Sequence, residues 1–120
     1  RADVVLDLEE NRPGALALVD YKSANDPRRA ERYELQLRVY AAAGRAEGLT
    51  IAAAWLHELR EGSRHEVDIG DKPVDGAVCL VADRTAAIRA RRFDPKPTRE
   101  KCSGCQYVRL CAYREGGIPA

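Results

Sequence analysis

Three charged residues near the N-terminus have the types and spacing of a metal site. Asp3 opens one apolar segment, and Asp20 and Lys22 stand two residues apart near the end of another. Two carboxylates that converge from adjacent strands are good ligands for a hard cation such as Mg²⁺ or Mn²⁺. The ammonium of Lys22 would then hold a water or offset negative charge on a phosphate. Spacing alone fits equally well an ordinary ion pair between Asp20 and Lys22, with Asp3 at an exposed terminus.

Whether these residues meet depends on two predicted strands. Residues 2–8 alternate between apolar and acidic side chains, and residues 15–22 form a more fully buried run. Asn, Pro and Gly between them are typical of a hairpin turn. Side chains two apart in a strand share a face, so Asp20 and Lys22 project together. If the hairpin pairs residues whose numbers sum to 23, Asp3 lies directly opposite Asp20.

The remaining elements predict an α/β fold with a mixed central sheet and flanking helices. A helix between the strands at 15–22 and 49–60 favours their parallel pairing through a right-handed crossover. The other expected elements are a helix over 27–47 ended by Gly48, a short strand over 64–69 and a second helix over 74–92. The second helix carries one apolar stripe, the pattern of a helix that packs against a core: Val74, Val78, Val81 and Ile88.

Size and composition exclude several classes of protein. The 120 residues suffice for one domain, and 45% hydrophobic with 32% charged residues suits a soluble globular chain rather than a disordered one. No apolar run approaches the roughly 20 residues of a membrane span, so we expect no membrane partner. The start at Arg1 resembles no signal or transit peptide. Four cysteines are too few for a disulfide scaffold.

The charge is distributed unevenly along the chain. Residues 84–114 carry nine Lys/Arg and two acidic residues, a net of +7 that leaves −6 for the remainder. A basic segment beside an acidic body is consistent with contact to a phosphate backbone. A solvated helix face followed by a charged tail explains the same composition.

The segments "RADVVLD", "ALALVDYKSA" and "QLRVYA" resemble a known family of nucleases. They are similar to the RecB-like branch of the PD-(D/E)xK nuclease superfamily, the AddB/Cas4-type nuclease domains often fused to UvrD-type helicases. The resemblance implies a restriction-endonuclease-like core and cleavage of DNA phosphodiesters dependent on Mg²⁺ or Mn²⁺. It also implies catalytic roles for five residues: Asp3, Asp20, Lys22, Gln36 and Tyr40.

Within that resemblance, Asp3, Asp20 and the backbone carbonyl of Tyr21 would hold the metal, and Lys22 would place the water. Gln36 and Tyr40 stand four apart and share one face of the first helix, with Tyr33 beside them. Considered alone, Tyr40 would be read as core packing and Gln36 as part of a solvated face. With the upstream motif present, we predict a role in positioning DNA or Lys22.

The family commonly has a further metal ligand, often a His, on a helix upstream of the first Asp. The sequence begins two residues before Asp3, so we expect an N-terminally truncated member whose activity alone is in doubt. His57 and His65 come too late in the order to replace that ligand, and we predict ordinary strand residues.

The cysteine-rich segment "KCSGCQYVRLC" contains a Cys-x-x-Cys knuckle and a third cysteine six residues on: Cys102, Cys105 and Cys111. A similar segment in the family binds a 4Fe-4S cluster whose fourth Cys lies upstream of the core. Structural Zn²⁺ is the alternative, and a metal-free or disulfide form stays open. Cys79 is predicted to be a small buried side chain rather than the fourth ligand.

These observations favour a nuclease core over 1–93 and a metal- or cluster-binding tail over 94–120. The implied function is that of an exonuclease-type domain of a DNA repair or recombination helicase–nuclease. It would act in the cytoplasm, at the nucleoid, on single-stranded DNA ends. Its partner would be a helicase, either a domain of the same chain or a separate subunit. Six basic residues are the expected DNA contacts: Arg89, Arg91, Arg92, Lys96, Arg99 and Lys101. The alternative is a non-catalytic DNA-binding or scaffolding module held by an Fe-S or Zn site. A zinc protein without nuclease ancestry is a third interpretation, which the predicted parallel crossover opposes.

Overall fold

The computed structural model describes residues 4–7, 14–23 and 30–115. The elements follow the predicted order of strand, strand, helix, strand, strand, helix, and a short third helix comes after them. They are β1 Val4–Asp7, β2 Ala15–Lys22, α1 Ala30–Ala46, β3 Thr50–Glu58, β4 Ser63–Glu66, α2 Asp71–Arg89 and α3 Arg99–Ser103. The α/β prediction is confirmed.

The four strands form one mixed sheet in the order β1-β2-β3-β4. β1 and β2 pair antiparallel, with Val4 opposite Val19 and Leu6 opposite Ala17. The partner numbers sum to 23, so the register predicted for this hairpin is confirmed over the described pairs. β4 pairs antiparallel with the far edge of β3.

The connection from β2 through α1 to β3 determines which residues lie beside Asp20 and Lys22, at the C-terminal end of β2. β2 and β3 pair in parallel, as the crossover predicts, and a register shift after Leu16 places Asp20 opposite Leu56 and Lys22 opposite Glu58. α1 ends at a turn in which Gly48 has φ +83°, a conformation that glycine adopts without steric cost. The chain then enters β3 at Thr50.

The core lies between one face of the sheet and α1. Leu37 and Ala41 of α1 are fully buried against Leu18 and Ala54 of the central strands. Gly44 lets the helix approach the sheet closely, since a Cβ on it would lie 3.0 Å from two side-chain carbons of Ile51. The apolar positions of α1 recur three and four residues apart, which is why this helix packs on the sheet with one stripe.

Two arginines connect α1 to the segment that follows β4. Arg38 Nε donates a hydrogen bond to the carbonyl of Asp68 (3.0 Å). Arg45 Nη2 donates to the carbonyls of Ile69 (2.8 Å) and Ile51 (3.3 Å). These charged donors satisfy two carbonyls of the irregular segment after β4 and one of β3, which helps to fix the first helix relative to the sheet.

The second helix differs from its prediction in position and in burial. It begins at Asp71 rather than 74, because a turn precedes it in which the Gly70 N–H donates to Asp68 Oδ1 (2.8 Å). Of the predicted stripe only Val74 is buried, whereas Val78, Val81 and Ile88 are exposed, so the inference of a packed stripe is wrong beyond the first turn. Cys79 is also exposed, and its predicted burial is wrong.

The chain divides into two compact units, Arg1–Arg84 and Thr85–Ala120. The first contains the sheet, α1 and most of α2; the second contains the end of α2 and α3. Among the described residues, no helix combines the length and the apolar character needed to cross a membrane.

Candidate active site

The C-terminal end of β2 carries a buried carboxylate. Asp20 is 3% exposed and is, with Glu58, one of two charged residues buried among the described part of the chain. Its Oδ2 atom forms an ion pair with Nζ of Lys22, whose side chain is half-buried on the same face of the strand. Within the described residues, this oxygen accepts no hydrogen bond of good geometry. The Asp20–Lys22 pair is therefore present, and Lys22 is the cation that the described residues place against this carboxylate.

This environment fits a bound divalent cation. A buried carboxylate is costly unless charges or donors compensate it, and here one ammonium faces several acceptor sites. Mg²⁺ and Mn²⁺ prefer oxygen ligands and usually take only one or two carboxylates from the protein. The Asp20 side chain thus has the chemistry and the spare acceptor capacity that such an ion needs.

Lys22 is restrained by an aromatic ring as well as by Asp20. Its ammonium lies 4.6 Å from the centroid of the Tyr33 ring, a cation–π arrangement. Tyr33 stands on the first turn of α1, which the crossover brings back over the sheet. The sequence placed Tyr33 beside Gln36 but did not identify its contact with Lys22.

Gln36 and Tyr40 interact directly on α1. Gln36 Nε2 donates a hydrogen bond of 2.8 Å to the Tyr40 hydroxyl, and both residues are half-buried. Tyr40 also packs against the hydrophobic core. Tyr33, Gln36 and Tyr40 therefore share one face of α1, and from that face Tyr33 contacts Lys22.

The other residues discussed in the sequence analysis lie on the opposite strand face, in β3 and β4, or outside the described residues. The metal ligand predicted at Tyr21 is its backbone carbonyl, and this stays a prediction. The Tyr21 side chain is on the opposite strand face, where its ring meets that of His57 edge-on at 5.4 Å. His57 and His65 lie in β3 and β4, as predicted. Asp3 lies outside the described residues, and β1 begins at the next residue, Val4.

Glu58 is a buried residue that the sequence analysis missed. It ends β3, is 4% exposed, and is the register partner of Lys22. Its Oε1 atom accepts a hydrogen bond from the backbone N–H of Arg60 (3.2 Å). The sequence carries only part of the signal: a charged residue closes a largely apolar run, but extending the Ala15–Thr50 register without a shift would have paired Lys22 with His57 instead.

The predicted DNA contacts and cysteines belong to the second unit. All six basic residues are exposed, either at the end of α2, in the segment after it or in α3. Cys102 and Cys111 are half-buried thiols and Cys105 is an exposed one. Over residues 4–7, 14–23 and 30–115, no three His, Cys, Asp or Glu side chains are grouped to hold a metal. The predicted cluster of three cysteines is thus not assembled in this structure.

Comparison with known proteins adds one match. A family model described as the PD-(D/E)XK nuclease superfamily matches residues 1–112. This range contains every residue to which the sequence analysis gave a role. No curated protein matches the chain significantly.

Proposed function

The chain belongs to the PD-(D/E)XK nuclease superfamily, and from this premise we propose that it is a DNA nuclease domain of the RecB-like branch, serving a repair or recombination helicase–nuclease. The mixed sheet with flanking helices agrees with a restriction-endonuclease-like fold. The observation that carries the proposal is the buried Asp20 carboxylate, compensated by Lys22 two residues later on the same strand face. This is the Asp-x-Lys pattern for which the resemblance implies nuclease chemistry.

Asp20 would hold a divalent cation together with Asp3 and the Tyr21 carbonyl. The support for Asp3 is its place in the chain, one residue before Val4, whose register partner Val19 directly precedes Asp20. Such an ion supplies Lewis-acid stabilisation of the phosphate's negative charge and makes water a better nucleophile. Asp20 contributes an oxygen ligand that is already desolvated in the folded protein.

Lys22 would orient the attacking water and stabilise charge on the phosphate. The water oxygen bonds to phosphorus as the bond to one ester oxygen breaks, and that oxygen leaves with a proton. The Tyr33 ring restrains this ammonium independently of Asp20, which limits the reorganisation that Lys22 needs to act in this way. Gln36 and Tyr40 would position DNA or Lys22 from the helix above.

We further propose a metallated tail. Cys102, Cys105 and Cys111 would bind a 4Fe-4S cluster or Zn²⁺ with a fourth ligand from elsewhere, tying the C-terminal segment to the protein. Iron, sulfide and zinc analysis of protein purified without oxygen distinguishes the two metals.

Substitutions at Asp20 and Lys22 test the nuclease proposal directly. Asp20→Asn and Lys22→Met keep the side-chain size while removing charge, so each should lower the rate of DNA cleavage by about 10²-fold or more. Cleavage is measured on end-labelled single- and double-stranded DNA with Mg²⁺, with Mn²⁺ and with chelator. Circular dichroism establishes that each variant is folded.

The matched controls are Asp75→Asn and Lys72→Met, the same changes at exposed positions of α2. They should cleave at the wild-type rate. Wild-type activity in Asp20→Asn would contradict the proposed catalytic role. A wild-type protein that binds DNA and cleaves none with either ion would instead favour a non-catalytic DNA-binding module, which the exposed basic residues of the second unit also suit.

A further inference from the structure

Glu58 is a second buried carboxylate beside the proposed active site, and the mechanism above does not use it. A carboxylate that is 4% exposed has lost most of its hydration, so it needs a compensating charge or several donors. The Arg60 backbone N–H supplies one hydrogen bond, to Oε1. A carboxylate has acceptor capacity for about four.

The sheet determines which positive charge is next to Glu58. Its flanking register partners are Lys22 on β2 and Ser63 on β4, and of these only Lys22 is charged. Register partners in a parallel pair project to the same face, so Glu58 and Lys22 share the face that also carries Asp20. The pairing is continuous to this end of the strands, because the Leu59 N–H donates to the Lys22 carbonyl (2.8 Å).

Lys22 therefore shares one sheet face with two buried carboxylates: Asp20, with which it forms an ion pair, and Glu58, its register partner. In the structure its ammonium pairs with Asp20 and lies over the Tyr33 ring. If Asp20 turns its oxygens to another cation, Lys22 loses that partner, and a half-buried ammonium without an anion is unfavourable. The neighbouring strand offers a carboxylate for this situation.

We propose that Glu58 is a positioning residue that takes over the Lys22 ammonium when Asp20 is engaged elsewhere, and so keeps Lys22 fixed in the site. The catalytic consequence of this inference rests on the proposed nuclease function. The contact between Glu58 and Lys22 does not depend on that function. Glu58 acts through Lys22 and touches neither water nor phosphate.

The contact is tested without any metal by removing the charge of Asp20. The readout is the hydrogen-exchange rate of the Lys22 ammonium protons, measured by ¹⁵N-resolved NMR. The Lys22 signal is assigned by its absence from the spectrum of Lys22→Met. Asp20→Asn should retain slow exchange, because Glu58 takes the ammonium. Adding Glu58→Gln to that variant should accelerate exchange by about tenfold or more, the equivalent of one charge-assisted hydrogen bond.

Glu58→Gln is chosen because its amide oxygen can still accept from the Arg60 N–H. Glu66→Gln on β4, at an exposed position, is the matched control and should leave the Lys22 exchange unchanged. Protection of the Leu59 amide reports whether the strand pairing is intact. Glu58→Asp keeps the negative charge but places it farther from Lys22, because the side chain is one methylene shorter. In the Asp20→Asn background, the exchange rate of the Lys22 ammonium should then lie between the rates measured with Glu and with Gln at position 58.

The inference and the nuclease proposal fail in different ways. Fast Lys22 exchange in Asp20→Asn alone, or no acceleration on adding Glu58→Gln, would overturn the role of Glu58 whatever the protein cleaves. Weaker Mg²⁺ binding by Glu58→Gln with an unchanged ammonium signal would also overturn it, since Glu58 would then be a ligand. In cleavage assays, Glu58→Gln should lower kcat and leave KM for DNA unchanged. Unimpaired cleavage by Lys22→Met would count against the nuclease mechanism and not against the contact between Glu58 and Lys22.

Discussion

At the scale of single residues, the Gln36–Tyr40 hydrogen bond is a contact within α1, on the helix that also places Tyr33 against Lys22. The Tyr40 hydroxyl accepts from Gln36 Nε2, while the same helix face places the Tyr33 ring against Lys22. The two tyrosines thus make different contacts. Tyr33 offers its ring face, and Tyr40 offers its oxygen.

This difference leads to a prediction for the two hydroxyl groups. Tyr40→Phe removes the acceptor of Gln36, so it should lower the free energy of unfolding by about 0.5–1.5 kcal/mol. If the pair positions Lys22 or DNA, cleavage should also fall roughly 10- to 100-fold. Urea denaturation and single-turnover cleavage measure the two effects.

Tyr33→Phe is the control for this prediction, since it removes the same atom but keeps the ring beneath Lys22. Its stability and cleavage rate should stay near those of the wild type. An equal loss in both variants would mean that the hydroxyl of Tyr40 has no special role.

Residue-level prediction from the sequence succeeded where the spacing was local. Asp20 and Lys22 are two apart in a strand, and Gln36 and Tyr40 are four apart in a helix, so geometry alone pairs each couple. The Glu58–Lys22 register depends on a crossover and on a register shift after Leu16, and no local spacing encodes it. The packing of Lys22 on Tyr33 depends on the angle of α1, which is equally non-local.

At the scale of the elements, the close approach of α1 to β3 depends on one glycine. A Cβ on Gly44 would lie 3.0 Å from Ile51, a side chain that is 5% exposed and belongs to the core. At Gly76 of α2, no atom of the described residues lies within 4 Å of the position of an added Cβ once the neighbouring residues and the helix's own backbone are set aside. Both glycines therefore lie in helices, but only Gly76 has free space around the position of a Cβ atom.

Alanine at each glycine should change stability in opposite directions. Gly76→Ala should raise the free energy of unfolding by about 0.5–1 kcal/mol, since it reduces the freedom of the unfolded chain in a helix interior. Gly44→Ala gains the same term but must displace Ile51, and overpacking a core costs roughly 1–3 kcal/mol, so it should destabilise. Urea unfolding of both variants measures the difference, and equal stabilisation would show that Ile51 moves aside freely.

Element order was predictable because apolar periodicity and turn residues are local signals. β2 has the predicted bounds, and the crossover follows from the helix between two strands. The burial of α2 was not predictable from its stripe, because amphipathic spacing states which face is apolar and not whether anything covers it. Val78 and Val81 have helical spacing and remain exposed.

At the scale of the whole molecule, charge is divided between the two compact units. The boundary between them follows Arg84, where the basic segment of +7 begins. Seven of the eight basic side chains in the second unit are exposed, as a surface that meets a phosphate backbone must be, and Arg114 is half-buried. Exposure alone is shared by any solvated tail, so the salt dependence of DNA binding is the property that separates the two interpretations.

Neutralising three basic residues of the second unit should weaken DNA binding in a salt-dependent way. Each phosphate of a single strand that the protein neutralises adds about 0.7 to the slope of log affinity against log salt, so Arg91→Gln, Arg92→Gln and Lys96→Gln together should reduce that slope by about 2. The control neutralises Arg32, Arg60 and Lys72, three exposed residues of the first unit, and changes net charge equally. Fluorescence anisotropy with labelled single strands at several salt concentrations gives both slopes. Equal slopes in the two triple variants would assign the binding to overall charge, and the basic segment would then be a solvated tail rather than a DNA-binding surface.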